Sequence, residues 1–252
     1  MHPYTWSLHA EAVVFVPLLA LGYALVLRRY PASGWRVSCF LCGLALILAV
    51  FVTPLENLAL HYLLTAHLLQ NVALAEWAPA LLVLGLPPAA ARAARRSTPV
   101  RLATHPLVAL PLWLATYYAW HLPAAYDFAL RHPSSVLHLE HLCYLVTGIL
   151  LWWPVLGGAL APGAAAAYLF GAFVLCSPLG LLLALIPHAV YGFYVRAPRL
   201  YGLSPLGDQQ LAGLTMAAEE ALVFFAAFAL YFLRFLQREE SALLFKDARW
   251  SR

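Results

Sequence analysis

The chain has 252 residues, of which 63% are hydrophobic and only 10% are charged. Soluble domains carry about 25% charged residues, so this composition excludes an ordinary soluble protein and predicts a polytopic membrane protein. The formal net charge of +4 is small, and nothing in the sequence indicates a nucleic-acid partner.

Apolar runs of about 20 residues recur along the chain, which favours membrane-spanning helices and an all-α fold. Seven runs are recognised: Leu8–Leu27, Trp35–Val52, Leu58–Leu86, Thr104–Leu122, Ser135–Leu156, Ala164–Pro187 and Leu211–Leu236. We therefore expect seven transmembrane helices in one bundle, a single domain over residues 1–252 with a short polar tail at 237–252. An odd number of spans places the two termini on opposite sides of the membrane.

The distribution of basic residues predicts the orientation. Twelve of the fifteen Lys and Arg residues fall on one side of the predicted topology. They are Arg28, Arg29, Arg36, Arg92, Arg95, Arg96, Arg101, Arg234, Arg238, Lys246, Arg249 and Arg252. Because basic residues are retained in the cytoplasm, the N-terminus is expected outside and the C-terminus in the cytoplasm.

On this topology, nine of the ten histidines lie at the outer face. Four of them, His121, His132, His138 and His141, fall close together around the connection between the fourth and fifth spans. His138 and His141 are spaced i, i+3 and share a helix face. A single histidine here would be explained by capping or by an interfacial position, whereas several together indicate a soft or borderline metal.

Polar residues inside the spans are further candidates. His67, Gln70 and Asn71 share one face of the third span, where an amide can orient a ligand or bond to a neighbouring helix. Met216, in the seventh span, carries a thioether that suits Cu(I), although packing alone would explain a buried methionine. Intramembrane acids are costly and are functional candidates by default; they are Glu76, Glu219 and Glu220.

Seven stretches of distinctive sequence follow one another along the chain: Thr53–Leu55, His67–Gln70, Ala78–Pro87, Trp120–Asp127, His138–Leu142, Trp152–Val155 and Asp208–Met216. Together and in this order they resemble the multi-spanning CtaG family of cytochrome c oxidase assembly factors. The resemblance implies a non-enzymatic, seven-helix protein of the bacterial cytoplasmic (inner) membrane that helps to mature a haem-copper oxidase. Its partners would be membrane lipid, the catalytic subunit of that oxidase and an extracytoplasmic copper chaperone.

Under this hypothesis the protein handles copper, as Cu(I), at the outer face of the membrane. The candidate ligands are His67, His121, His138, His141 and Met216. The residues expected to orient them or to line the way in are Gln70, Asn71, Asp127, Glu140 and Asp208. The family usually has a histidine after the glutamine, where this chain has Asn71, a poor copper ligand.

Two other functions fit the same residues. Two of the histidines could be axial ligands in a b-type haem protein, or part of a quinone-binding site. Alternatively, Glu76, Glu219 and Glu220 could form the proton path of a proton-coupled transporter. An absorption spectrum and metal analysis would separate the haem and copper functions, and the sequence does not predict the oligomeric state.

Overall fold

The computed structural model describes residues 2–9 and 11–250, with side chains for residues 2–9 and 12–241. Within these residues the secondary structure is helical and contains no strand, so the all-α class is confirmed. The helices are α1 Val16–Arg29, α2 Gly34–Val52, α3 Pro54–His61, α4 Leu64–Val72, α5 Ala78–Gly85, α6 Pro88–Ala94, α7 Thr98–Ala103, α8 Pro106–His121, α9 Pro123–Arg131, α10 Val136–Leu156, α11 Pro162–Leu185, α12 Gly192–Arg196 and α13 Pro205–Trp250. A π-helical turn, Glu11–Phe15, leads into α1, and another, Ala73–Trp77, joins α4 to α5.

In the described part of the chain, six helices are long and apolar enough to cross a membrane. They are Ala12–Arg29, Gly34–Val52, Leu64–Gly85, Val136–Leu156, Pro162–Leu185 and Pro205–Ser241. The predicted fourth span, Thr104–Leu122, corresponds to α8, which has only 16 residues. A helix of that length extends about 24 Å, less than the roughly 30 Å hydrocarbon core. The structure thus supports a multi-pass membrane protein, and the seventh span stays a prediction.

The third span was predicted as one run, Leu58–Leu86, but the structure interrupts the helix near the start of that run. Helix α3 ends at His61 and α4 begins at Leu64, after two non-helical residues. The carboxylate of Asp208 accepts the backbone N–H groups of Leu64 at 2.7 Å and of Thr65 at 3.1 Å. Those bonds replace the intrahelical partners that a first turn lacks, so a side chain from α13 makes this new helix start favourable.

The span Leu64–Gly85 lies at the centre of the bundle and is the most buried of the six, whereas Ala12–Arg29 is the least buried. The central span contacts α2, α10 and α13. Helix α10 approaches it closely at Gly148, where a Cβ atom would lie 2.2 Å from the carbonyl oxygen of Ala75. The absence of a side chain at Gly148 is therefore what lets the two helices meet.

Two of the basic residues used to predict the orientation, Arg36 and Arg95, bond to backbone carbonyls at helix ends. The guanidinium of Arg36 donates to the carbonyls of Leu84 at 2.7 Å and Leu86 at 2.9 Å. Arg95 donates to the carbonyl of Gly158 at 3.4 Å. Which end faces the cytoplasm stays a prediction. Of the basic residues used for it, Arg252 and the side chains of Lys246 and Arg249 lie outside the described residues.

Candidate functional site

Three of the predicted ligands lie close together, because the rings of His67 and His121 neighbour that of Tyr126 and the ring of His141 neighbours that of His67. The centroid of the His67 ring is 4.9 Å from that of Tyr126 and 6.3 Å from that of His141. The His121 ring, at the end of α8, lies 6.0 Å from Tyr126. All four side chains are buried. Helices α4, α8, α9 and α10 thus bring three separate histidines into one enclosed region.

The hydroxyl of Tyr194 determines which ring nitrogen of His67 carries hydrogen. It donates to the carbonyl of Ala59 at 2.5 Å, and its oxygen lies 2.9 Å from Nδ1 of His67. A phenol has a single hydrogen, so Nδ1 of His67 must be the donor in the second bond. In the neutral ring, Nε2 then carries the lone pair. That nitrogen is buried and has no hydrogen-bond partner among the described residues.

The same argument applies to His121. Its Nδ1 lies 2.7 Å from the backbone carbonyl oxygen of Tyr117, an atom that can only accept, so Nδ1 carries the hydrogen. The hydroxyl of Tyr144, 3.2 Å from the same nitrogen, is a second acceptor for that N–H. Nε2 of His121 is buried without a hydrogen-bond partner in the described part of the chain. His121 therefore also presents a lone pair to the interior, as metal coordination by a neutral imidazole requires.

Tyrosine hydroxyls, all neutral, line the rest of this region. The rings of Tyr126 and Tyr191 lie 4.4 Å apart, and the Tyr191 hydroxyl donates to the backbone carbonyl of His121 at 2.9 Å. Burial raises the pKa of the Tyr126, Tyr191 and Tyr194 hydroxyls above the ordinary tyrosine value, because a phenolate there would lose its hydration. The site is thus polar, shielded from water and lined by uncharged phenols.

Gln70 and Asn71 share a helix with His67 but contact other neighbours. Gln70 Nε2 donates to the carboxylate of Glu56, a buried residue of α3 that the sequence analysis did not identify. Asn71 Nδ2 donates to Oε1 of Glu140 at 3.1 Å. Glu140 is fully buried. Asn71 therefore orients the carboxyl group of Glu140, the residue before His141 in α10, instead of contacting the ring of His67.

Asp127 holds helix α12, which carries Tyr194. Its Oδ1 accepts the backbone N–H of Phe193 at 3.0 Å, and its Oδ2 lies 3.2 Å from the guanidinium of Arg131. A Cβ atom at Gly192 would lie 2.8 Å from Oδ2 of Asp127, so the glycine permits this close approach. Asp127 thus acts on the site through the position of α12.

Asp208 and Gln209 occupy adjacent positions in α13 and hold two different parts of the site. Asp208 caps α4 one turn before His67. Gln209 Oε1 accepts the backbone N–H of Val190 at 2.7 Å, and its Nε2 donates to backbone carbonyls nearby, which fixes the connection that carries Tyr191. Gln209 was not among the predicted site residues, although it lies in the stretch Asp208–Met216 that carried the family resemblance.

The remaining predicted ligands are His138, which lies one turn before His141 in α10, and Met216 in α13. His138 lines a small cavity bordered by α1, α2 and α10, together with His141. Met216 is buried in α13. Helices α4 and α13 run side by side from the Asp208 cap, so residue spacing places Met216 about 8 Å deeper in the bundle than His67.

The three intramembrane acids meet still deeper. Trp77 Nε1 donates to the carboxylate of Glu219, and the Tyr117 hydroxyl donates to that of Glu220. Glu76 is fully buried beside them. Along the central helix, Glu76 lies about 14 Å beyond the histidine of α4. These carboxyls form a second polar cluster that is separate from the histidine site.

Among the residues with described side chains, no group of three or more His, Cys, Asp or Glu is close enough to hold a metal ion. His67, His121 and His141 therefore do not form a closed coordination shell. The arrangement offers imidazole lone pairs at His67 and His121, with His141 beside them, in an enclosed region.

The family profile described as cytochrome c oxidase caa3 assembly factor (Caa3_CtaG) matches residues 18–238. Searches of curated proteins and of solved structures gave no significant match. The match covers most of the chain, including every residue around Tyr126, and it confirms the resemblance inferred from the motifs.

Proposed function

The chain belongs to the family of cytochrome c oxidase caa3 assembly factors, and we propose that it serves assembly by carrying Cu(I) as its cargo. In this proposal it is a seven-span protein of the bacterial inner membrane, with its N-terminus outside and its C-terminus in the cytoplasm. It receives copper at the outer face from an extracytoplasmic chaperone and passes it to the catalytic subunit of the haem-copper oxidase. It transfers a metal ion and catalyses no covalent step.

The observation that carries the proposal is the pair of buried Nε2 atoms of His67 and His121. Each has its hydrogen fixed on Nδ1, and each lacks a hydrogen-bond partner among the described residues. A buried acceptor without a donor costs free energy, and a bound metal ion removes that cost. Imidazole nitrogen is a suitable ligand for copper.

The distance between His67 and His141 supports a shared ion. A metal lies about 2 Å from an imidazole nitrogen, so two rings on one ion have centroids separated by about 6 Å. The observed separation is 6.3 Å. We therefore propose His67 and His141 as the first ligands, with His121, whose ring lies 6.0 Å from Tyr126, as the third.

Charge also favours this cargo. Cu(I) accepts a low coordination number and carries a single positive charge, so its burial costs less than that of a divalent ion. The carboxyl group of Glu140 is fully buried in α10 and is close enough to Tyr126 to act on its hydroxyl electrostatically. It is placed to supply compensating negative charge when copper is bound.

Copper binding can be tested on the full-length protein, purified in detergent and loaded anaerobically with Cu(I). Metal analysis and competition against a Cu(I) chelator should give an integral stoichiometry that His67→Ala and His141→Ala abolish. His132→Ala is the control, because its ring is exposed and packs on Phe128. Copper-free wild-type protein, or binding unchanged in both variants, would refute the proposal. A Soret band in the absorption spectrum would favour the haem alternative.

A further inference from the structure

A small cavity adjoins the histidine site on the membrane side of the bundle. Its volume is about 30 Å³, enough for roughly one water molecule or one ion. The His141 ring connects it to the site, because that ring lies 5.1 Å from Phe51, which lines the cavity, and 6.3 Å from His67. His141 therefore belongs both to the proposed copper ligands and to the lining of the cavity.

His138 and His141 are the polar members of the cavity lining, and the others are apolar side chains of α1, α2, α10 and the π-helical turn Ala73–Trp77. The two histidines lie one turn apart on the same face of α10. Two imidazoles in an otherwise apolar cavity of this size suit one soft monovalent ion. His138, which the primary site does not use, thus acquires a place beside it.

The outer wall of the cavity belongs to the least firmly packed part of the bundle. Phe15 and Leu142 line it and are each 41% exposed. Exposed apolar side chains on the outside of membrane-spanning helices face lipid. Phe15 ends the π-helical turn Glu11–Phe15, which precedes α1 in the least buried span. π-helical turns occur frequently at functional sites. The wall of the cavity between α1 and α10 therefore lies at the lipid-facing surface of the bundle.

We propose that His138 is a transfer ligand and that this cavity is the lateral exit for Cu(I). The inference rests on the proposed function. The ion held by His67 and His141 exchanges His67 for His138, keeps its oxidation state, and leaves between α1 and α10 towards an acceptor embedded in the membrane. His141 remains bound throughout and hands the ion from one histidine to the other.

The route can be tested with the full-length protein in lipid nanodiscs, loaded with Cu(I). Release is timed to neocuproine, which partitions into lipid, and to bathocuproine disulfonate, which stays in water. His138→Ala should keep its bound copper but slow transfer to neocuproine by about tenfold, a typical cost of losing a group that supports a metal site. Transfer to the aqueous chelator should not change.

A second variant tests the cavity without removing a histidine. Leu145→Phe fills the cavity and should slow the same transfer, whereas Leu139→Phe, on the exposed face of α10, should not. Unchanged transfer to neocuproine in both His138→Ala and Leu145→Phe would overturn the route and leave copper carriage intact. Loss of bound copper from His138→Ala as complete as from His67→Ala would also overturn it, because His138 would then be a primary ligand. Wild-type protein that binds no Cu(I) would remove the proposed function, and this route with it.

Discussion

The hydroxyl oxygen of Tyr194 lies 2.9 Å from Nδ1 of His67, although the two residues are 127 positions apart in the chain. Because that hydroxyl donates its hydrogen to the carbonyl of Ala59, the imidazole must donate to the hydroxyl oxygen. One phenol on a five-residue helix thus decides which nitrogen of a distant histidine is available to a metal. Asp127 holds that helix, so an aspartate without contact to the ring contributes to the same outcome.

Replacing Tyr194 by Phe should weaken copper binding without preventing folding. The variant leaves the Nδ1 hydrogen of His67 without its acceptor, so the ring can rotate or change tautomer. We expect Cu(I) affinity to fall by about tenfold, as for other groups that orient metal ligands. Chelator competition measures it. Tyr118→Phe is the control, because that hydroxyl bonds only the distant carbonyl of Leu175 in the described contacts; equal affinities in the two variants would contradict the role of Tyr194.

Asp208→Ala should destabilise the start of α4. The backbone N–H groups of Leu64 and Thr65 lose their acceptor, and loss of such a cap costs about 1–2 kcal/mol. The midpoint of thermal unfolding in detergent, followed by circular dichroism, should fall. Glu239→Ala, on the exposed end of α13, serves as the comparison. A midpoint unchanged by Asp208→Ala would mean that the helix start needs no cap.

Asn71→His should raise the affinity for Cu(I). The new imidazole would lie one turn beyond His67 and could add a nitrogen ligand. Asn71→Ala should change the affinity little, but it should lower stability, because Glu140 loses its amide donor. Competition against a Cu(I) chelator and thermal unfolding separate the two effects. If Asn71→Ala abolishes binding as fully as His67→Ala does, the amide itself holds the site together.

Gly148→Ala should push α10 away from the central span. The added Cβ would meet the carbonyl oxygen of Ala75 at 2.2 Å, and overpacking of this kind costs about 1–3 kcal/mol. The unfolding midpoint should decrease. At Gly171 a Cβ would meet no atom within 4 Å, so Gly171→Ala should be neutral or stabilising, since alanine favours helix. Equal midpoints for the two variants would argue against close packing at Gly148.

Reporter fusions after Arg252 test the predicted orientation. An alkaline phosphatase fused there should be inactive and a fluorescent protein should fluoresce, because the excess of basic residues predicts a cytoplasmic C-terminus. Fusions after Pro133, in the connection between α9 and α10, should give the opposite pair of results. A reversed pattern at both positions would place the histidines on the cytoplasmic side and remove the proposed uptake of copper from outside.

The sequence predicted the positions of the membrane-spanning helices, but it did not predict the break between His61 and Leu64 at the start of the central span. Hydropathy is a local property, and a helix in lipid must satisfy its own backbone hydrogen bonds, so apolar runs located the spans. The start of α4 at Leu64 depends instead on Asp208, a residue from another helix. Residue spacing likewise grouped Gln70 and Asn71 with His67, but neighbouring helices supplied Glu56 and Glu140 as their partners.

The sequence by itself determined the all-α membrane class and the family, because composition and motifs can be recognised along the chain without knowledge of which helices pack together. Only the tertiary structure decided that the rings of His67 and His121 neighbour Tyr126, that His141 neighbours His67, and that His138 lines a cavity with His141. It also decided the tautomers, through Tyr194 and the carbonyl of Tyr117. The reason is physical: contacts between helices follow from which faces pack and how closely, and residues far apart in the chain contribute to each face.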